Sequence, residues 1–170
     1  PYQRSYTPQA PYCGLQVLSD LVSVLNHVRP TAVYVTHPQD IHSDHWVTSA
    51  FVRYALATVA ARGGQWAQET KVYGYLVHWP RFPVPQSLQM KLGLLPPADL
   101  QSRGAESPTL RSPAQPDYGA WLRLPLSGKQ VARKLTAIMA YRSQMPRFDG
   151  LLKSFARTNE TFALLPTIDM

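Results

Sequence analysis

Two short apolar runs, TAVYVT at residues 31–36 and TKVYGYLV at 70–77, bracket the stretch HWVTSAFVRYALATVAARGG, and that order constrains the fold more than any other feature of the chain. Each run is rich in β-branched and aromatic residues and almost unbroken in apolar character, as expected of a strand covered on both faces of a parallel sheet. The stretch between them is expected to be a helix that Gly63 and Gly64 terminate. Strand, polar loop, helix and strand in succession predict an α/β fold with a parallel sheet and flanking helices.

The same reasoning extends in both directions. In GLQVLSDLVSVLNHVRP the residues Leu15, Leu18, Leu21, Val22, Leu25 and Val28 recur at helical spacing, and Pro30 closes that helix. AWLRLPLS reads as a short strand, Ser127 as the N-cap of the helix GKQVARKLTAIMAYRSQ, and Pro146 as its stop. RFDGLLKSFARTNE reads as a second short helix with Leu151, Leu152 and Phe155 inward, and TFALLP as a strand or extended tail. Residues 80–125 hold more than half of the chain's 16 prolines. That segment is expected to be a long surface loop or cover within one domain spanning 1–170.

Composition narrows the function classes. With 45% apolar residues the chain has enough side chain to bury a core, and no window approaches the roughly 18 consecutive apolar residues of a membrane helix. The net charge of +7 comes from 17 basic against 10 acidic residues. The basic residues (Arg53, Arg62, Lys71, Arg81, Lys91 and others) are scattered and form no run, so no specific nucleic acid partner is expected. The single cysteine, Cys13, excludes an intrachain disulfide and has no basic cluster beside it that would make it a nucleophile. It leaves the compartment open, with the cytoplasm favoured. The chain opens at Pro1 without a signal pattern and is expected to be a piece of a longer one.

The chemistry concentrates in HPQDIHSDHW, residues 37–46, directly after the first strand. In open α/β sheets the loops at the carboxyl ends of strands carry ligand sites. His42 and His45 stand three apart and can approach one centre on a turning backbone. Neutral imidazole is a common metal ligand, but a metal takes three or four protein ligands, and the nearest oxygen donors are Asp40 and Asp44. Either carboxylate could instead fix the tautomer of a histidine and raise its basicity, making an acid/base dyad. The plainer alternative is that Asp44 caps the following helix and that His37 and His42 decorate a solvated loop. His27, near the end of the first helix, and His78, at a strand end, read as structural, His78 being the one that could border a pocket.

VYVTHPQDIHSDHWVT resembles the second signature of the N-acetylglucosaminyl deacetylase family, also called PIG-L or LmbE-like, whose core is His-x-Asp-His after a buried strand. SYTPQAPYCG, LSDLVSVLNHVRPTAVYVTHP, YLVHWPRFPVP and KLTAIMAYRSQMPRFDGLLKSFARTNETFA resemble flanking segments of one branch of that family, so the likeness runs along nearly the whole chain. It implies a Rossmann-like fold and a zinc-dependent hydrolase that removes an acyl group from an amino sugar or related amine. By the family pattern His45 is a zinc ligand, His42 stabilises the tetrahedral intermediate or protonates the leaving amine, and Asp44 orients that histidine. Tyr141 and Gln144 fall in AYRSQ, another family-like stretch.

The family's first signature, Ala-His-Pro-Asp-Asp, supplies the other zinc ligands and the water-activating carboxylate. Only THPQD at 36–40 imitates it, and this lies inside the second motif with Gln39 where that carboxylate should stand. The remaining Zn2+ ligands are therefore expected from a segment amino-terminal to Pro1. These 170 residues alone are expected to bind zinc poorly, to lack deacetylase activity and, with an unpaired sheet edge, to self-associate. The alternative is a non-catalytic descendant of the fold that binds a sugar or a protein. The partner expected on the leading reading is a small-molecule or glycan amide. Which amide, and which oligomeric state, the sequence leaves open.

Overall fold

The computed structural model describes residues 6–98, 100 and 121–166. In chain order the elements are α1 (Gly14–Val28), β1 (Ala32–Thr36), α2 (Ser43–Ala61), α3 (Trp66–Glu69), β2 (Lys71–Tyr75), β3 (Trp121–Pro125), α4 (Gly128–Met139), α5 (Met145–Lys153) and β4 (Asn159–Leu165). The strands make a mixed sheet of order β1-β2-β4-β3, flanked by helices. The chain divides into two compact units, one running to Tyr75 and resuming at Leu164, the other from Leu76 to Ala163.

In the first unit β1 and β2 pair in parallel, from Ala32 opposite Lys71 to Thr36 opposite Tyr75. The chain returns between them through α2, as the strand-helix-strand pattern predicts. α1 packs on α2, burying Val22 and Leu25, while α2 buries Ala55, Leu56, Ala57 and Val59. Gly14 permits a close approach, since a β-carbon there would stand 3.3 Å from the Phe51 ring. α1 ends where Arg29 turns left-handed (φ 46°) and gives its N–H to the Leu25 carbonyl, just before Pro30. Gly63, at φ 91°, supplies the positive φ after α2.

The expectation that β1 is covered on both faces needs correction. Val35 and Thr36 are buried, but Tyr34 is 57% exposed and stacks on Tyr73 with ring centroids 5.2 Å apart. β1 is a terminal strand of the sheet order, and a tyrosine can share its ring with a neighbour while its hydroxyl meets water.

The second unit holds the antiparallel pair, with Trp121 opposite Ala163 and Pro125 opposite Asn159. The sheet is therefore mixed and not wholly parallel as the sequence suggested. Two helices, α4 and α5, stand between β3 and β4, and a second helix brings the chain back to the wrong end for a parallel return. Ser127 caps α4 in a full capping box: its Oγ accepts the Gln130 N–H, and Gln130 Oε1 accepts the Ser127 N–H. α4 stops at Met139, earlier than expected, and Pro146 begins α5 instead of ending α4. The first turn of a helix tolerates proline because its N–H would have no partner there.

The segment after β2 carries no helix or strand through residue 98, yet it is more than a surface loop. Leu76, Trp79, Phe82, Leu94 and Leu100 form a buried cluster against Trp121 and Phe155. Asn159 ties this irregular stretch to β4, its side chain accepting the Leu94 N–H at 2.8 Å and donating to the Leu94 carbonyl at 3.0 Å. Arg157, fully buried, donates to the carbonyls of Ser154 and Pro85, each at 2.6 Å. The remainder of the proline-rich segment, 101–120, lies outside the described residues.

Candidate functional site

The histidine cluster lies wholly in the first unit, between the end of β1 and the first turn of α2. Three backbone bonds shape the loop. The His37 N–H reaches the Tyr75 carbonyl at 2.7 Å and so prolongs the β1–β2 pairing by one residue. The Asp40 N–H returns to the His37 carbonyl at 3.0 Å, closing a turn over Pro38 and Gln39. The N–H groups of His45 and Trp46 both meet the His42 carbonyl, which starts the helix with His42 as its N-cap.

Asp40 is the centre of this arrangement. Its side chain is fully buried, its Oδ1 accepts the His42 N–H at 3.0 Å, and its Oδ2 lies 3.2 Å from His45 Nδ1. The second contact is a close approach of carboxylate to ring nitrogen that lacks regular hydrogen-bond geometry. His45 keeps 25% of its side chain accessible, and its carbonyl accepts the Thr36 hydroxyl at 2.6 Å, tying the helix start to the strand end.

His42 is exposed and uses its ring as a helix cap, Nδ1 accepting the Asp44 N–H at 3.3 Å. An imidazole at this position does what a Ser or Asn oxygen does at most N-caps. Its ring centroid lies 4.9 Å from that of His45, with the planes 35° apart. Asp44 is exposed, its Oδ1 is 3.4 Å from Ser43 Oγ, and the contact shown between it and His42 runs through its backbone N–H.

His37 is the buried member. Burial pushes its pKa down to about 4, the Asp40 charge opposing that shift and the Arg53 charge adding to it. Its Nδ1 accepts the Gln39 N–H at 3.1 Å. It is a neutral ring at neutral pH, and the plainer alternative that set His37 on a solvated loop does not hold for this residue.

Thus the structure brings His42, Asp44, His45 and Asp40 together. Sequence reading missed Thr36 and Arg53. Arg53 stands eight positions along α2 from His45, so helical spacing could have pointed to it. His27 is exposed in the last turn of α1, and Cys13 is exposed. His78, half buried, and Tyr141 and Gln144, both exposed, belong to the second unit.

Among the described residues no three His, Cys, Asp or Glu side chains are grouped so as to hold a metal ion. The donors present fall short of the three or four protein ligands of a zinc site. No helix among the described residues is long and apolar enough to cross a membrane. No family model, curated protein or solved structure matches the chain.

Proposed function

We propose that this chain carries part of the active site of a zinc-dependent N-deacetylase with a Rossmann-like fold, acting on the amide of an N-acetylated amino sugar or a related amine. The observation that carries the reading is the buried Asp40 carboxylate set against His45 while His42 stands exposed at the same helix start. Solvated loops rarely bury a carboxylate and engage both its oxygens. The cluster has that construction, and it follows a strand at the end where α/β folds place ligands.

The roles divide by accessibility. His45, held in place by Thr36 and Asp40, would be the ligand of this chain to the metal. His42 donates to the amide oxygen as charge develops there, or to the departing amine. Asp44, at the first turn beside it, orients that ring through its backbone N–H, which His42 Nδ1 accepts. A zinc ion, when bound, would supply Lewis acidity toward the amide carbonyl. The donors among the described residues do not complete its coordination, so on this reading the other ligands and the water-activating carboxylate would come from outside them.

The second reading is a descendant of the fold that binds a sugar or protein without catalysis. The intact mass and amino-terminal sequence of the natural gene product come first. A product carrying His-Pro-Asp-Asp after an apolar strand upstream of Pro1, releasing acetate from an N-acetylated amino sugar and losing both zinc and activity on His45→Ala, supports the enzyme. A product lacking that motif and binding no zinc supports the binding protein. Tight zinc at one equivalent in the 170-residue chain, lost on His45→Ala alone, would show that the cluster completes a metal site unaided.

A further inference from the structure

We infer that Asp40 and the backbone N–H of Asp44 hold His45 and His42 in opposite tautomers, so that two neighbouring rings present unlike distal nitrogens: a bare Nε2 on His45 and an Nε2–H on His42. The inference extends the reading of the cluster as a site, but it rests on geometry in the metal-free chain.

In each ring the group that faces Nδ1 sets the tautomer. A neutral imidazole carries its proton on one nitrogen only, and the neighbour of one nitrogen decides what the other offers. His42 Nδ1 faces an N–H donor, that of Asp44, at 3.3 Å. A lone pair must point there, which puts the proton on Nε2. His45 Nδ1 faces a carboxylate oxygen at 3.2 Å. A lone pair there would oppose the charge of Asp40, and a proton is attracted to it even when the N–H points off the line, so Nε2 is left as an electron-pair donor. Burial strengthens the second effect, because the Asp40 side chain has no exposed surface through which water could screen it.

The consequence is a division of labour within one helical turn. His45 can coordinate a Lewis acid or accept a proton, and His42 can donate to a developing anion, with ring centroids only 4.9 Å apart. Identical tautomers would give two ligands or two donors, and neither alone serves both jobs. Asp40 is thus a positioning residue acting through His45, and its Oδ1 bond to the His42 N–H ties that function to the start of the helix. The tautomer of His42 is set by backbone and is independent of the Asp44 carboxylate.

Long-range proton–nitrogen correlation NMR of the imidazoles, on the metal-free 170-residue chain at about pH 8, above the ordinary imidazole range, reads this directly. The expected result is a protonated-type Nδ1 and a bare-type Nε2 for His45, and the reverse for His42. Asp40→Asn exchanges one oxygen for an NH2 donor while its remaining oxygen still accepts the His42 N–H. It should therefore turn His45 to the Nε2–H form and leave His42 unchanged, whereas a general loosening would move both. Asp44→Asn should change neither ring. Asp44→Pro removes the N–H at a first-turn position where proline is tolerated, and should release His42 alone. The same tautomer in both rings of the unmodified chain would overturn the inference, as would a His45 indifferent to Asp40→Asn. Absence of zinc binding by the natural gene product would sink the proposed function and leave these tautomers standing.

Discussion

Asp40 and His45 meet across a helix start: the carboxylate belongs to the loop, the imidazole to the first turn of α2, and 3.2 Å separates Oδ2 from Nδ1. The pair closes the polar loop on the helix that follows it. Because the same carboxylate takes the His42 N–H, one buried group engages both residues of the helix start. A buried anion is tolerated only when its oxygens are engaged, so its neighbours cannot drift without a desolvation penalty.

Stability should therefore separate the two aspartates of the motif. Asp40→Ala strips the His42 N–H of its carboxylate acceptor in a part-buried setting, and is expected to cost about 2 kcal/mol, within the range for a hydrogen bond to a charged group. Asp44→Ala removes an exposed first-turn charge and should cost less than about 1 kcal/mol through the helix dipole. Urea unfolding of the two variants measures the difference, and equal losses would show that the Asp40 contacts are energetically idle.

The motif was legible in the sequence because chemistry-bearing residues were dense there, and the elements of the first unit because hydrophobic period and glycine stops agreed. Which aspartate lies buried against His45 was not legible. Asp40 and Asp44 each stand two positions from His42, Asp44 is the nearer to His45 in sequence, and only the turn closed by the Asp40 N–H onto the His37 carbonyl decides which one is buried. The antiparallel return of β4 escaped because it depends on the number of helices in a connection, and AYRSQMPRF reads as one helix stopped by a proline until the turn at 140–144 is seen. The buried Trp79, Phe82 and Leu94 were masked by the prolines around them, which forbid regular structure without forbidding burial.

His37 makes stability fall on acidification. Its folded pKa of about 4 lies below the ordinary 6.5, so between those values the unfolded chain binds a proton that the folded chain refuses. Its contribution is fully present above about pH 7 and is lost as pH falls toward the folded value, to an extent of about 3 kcal/mol. Comparing the chain with His37→Gln by denaturant unfolding across that window isolates the effect from that of the carboxylates. The free-energy difference between the two should be constant above about pH 7 and shift by that amount toward about pH 4. A pH-independent difference would show that His37 titrates normally in the folded chain.

Gly74 lies where β2 passes beneath His37. A β-carbon at that position would stand 3.0 Å from Leu165 Cδ2 and 3.1 Å from His37 Cδ2, tighter than ordinary van der Waals contact. Gly74→Ala is expected to destabilise the chain by about 1–3 kcal/mol through overpacking, although alanine favours neither turn nor break in a strand. Leu165→Val, which shortens the nearer obstacle, should recover part of the loss in the double variant. Strict additivity of the two changes would show that Leu165 is not the obstacle.

Thr36 links the last residue of β1 to the first turn of α2 through a 2.6 Å bond from its hydroxyl to the His45 carbonyl. A helix carbonyl that also accepts this bond is held against the strand, which restrains His45 itself. Thr36→Val keeps the shape and deletes the donor, at an expected cost of about 1 kcal/mol. Amide hydrogen exchange should then quicken at residues in the first turns of α2 and remain unchanged near Ala57, where the helix is buried. Thr36→Ser, which keeps the hydroxyl, should preserve slow exchange despite the lost methyl group. Fast exchange in both variants would mean that packing of the methyl, and not the bond to His45, secures the start of the helix.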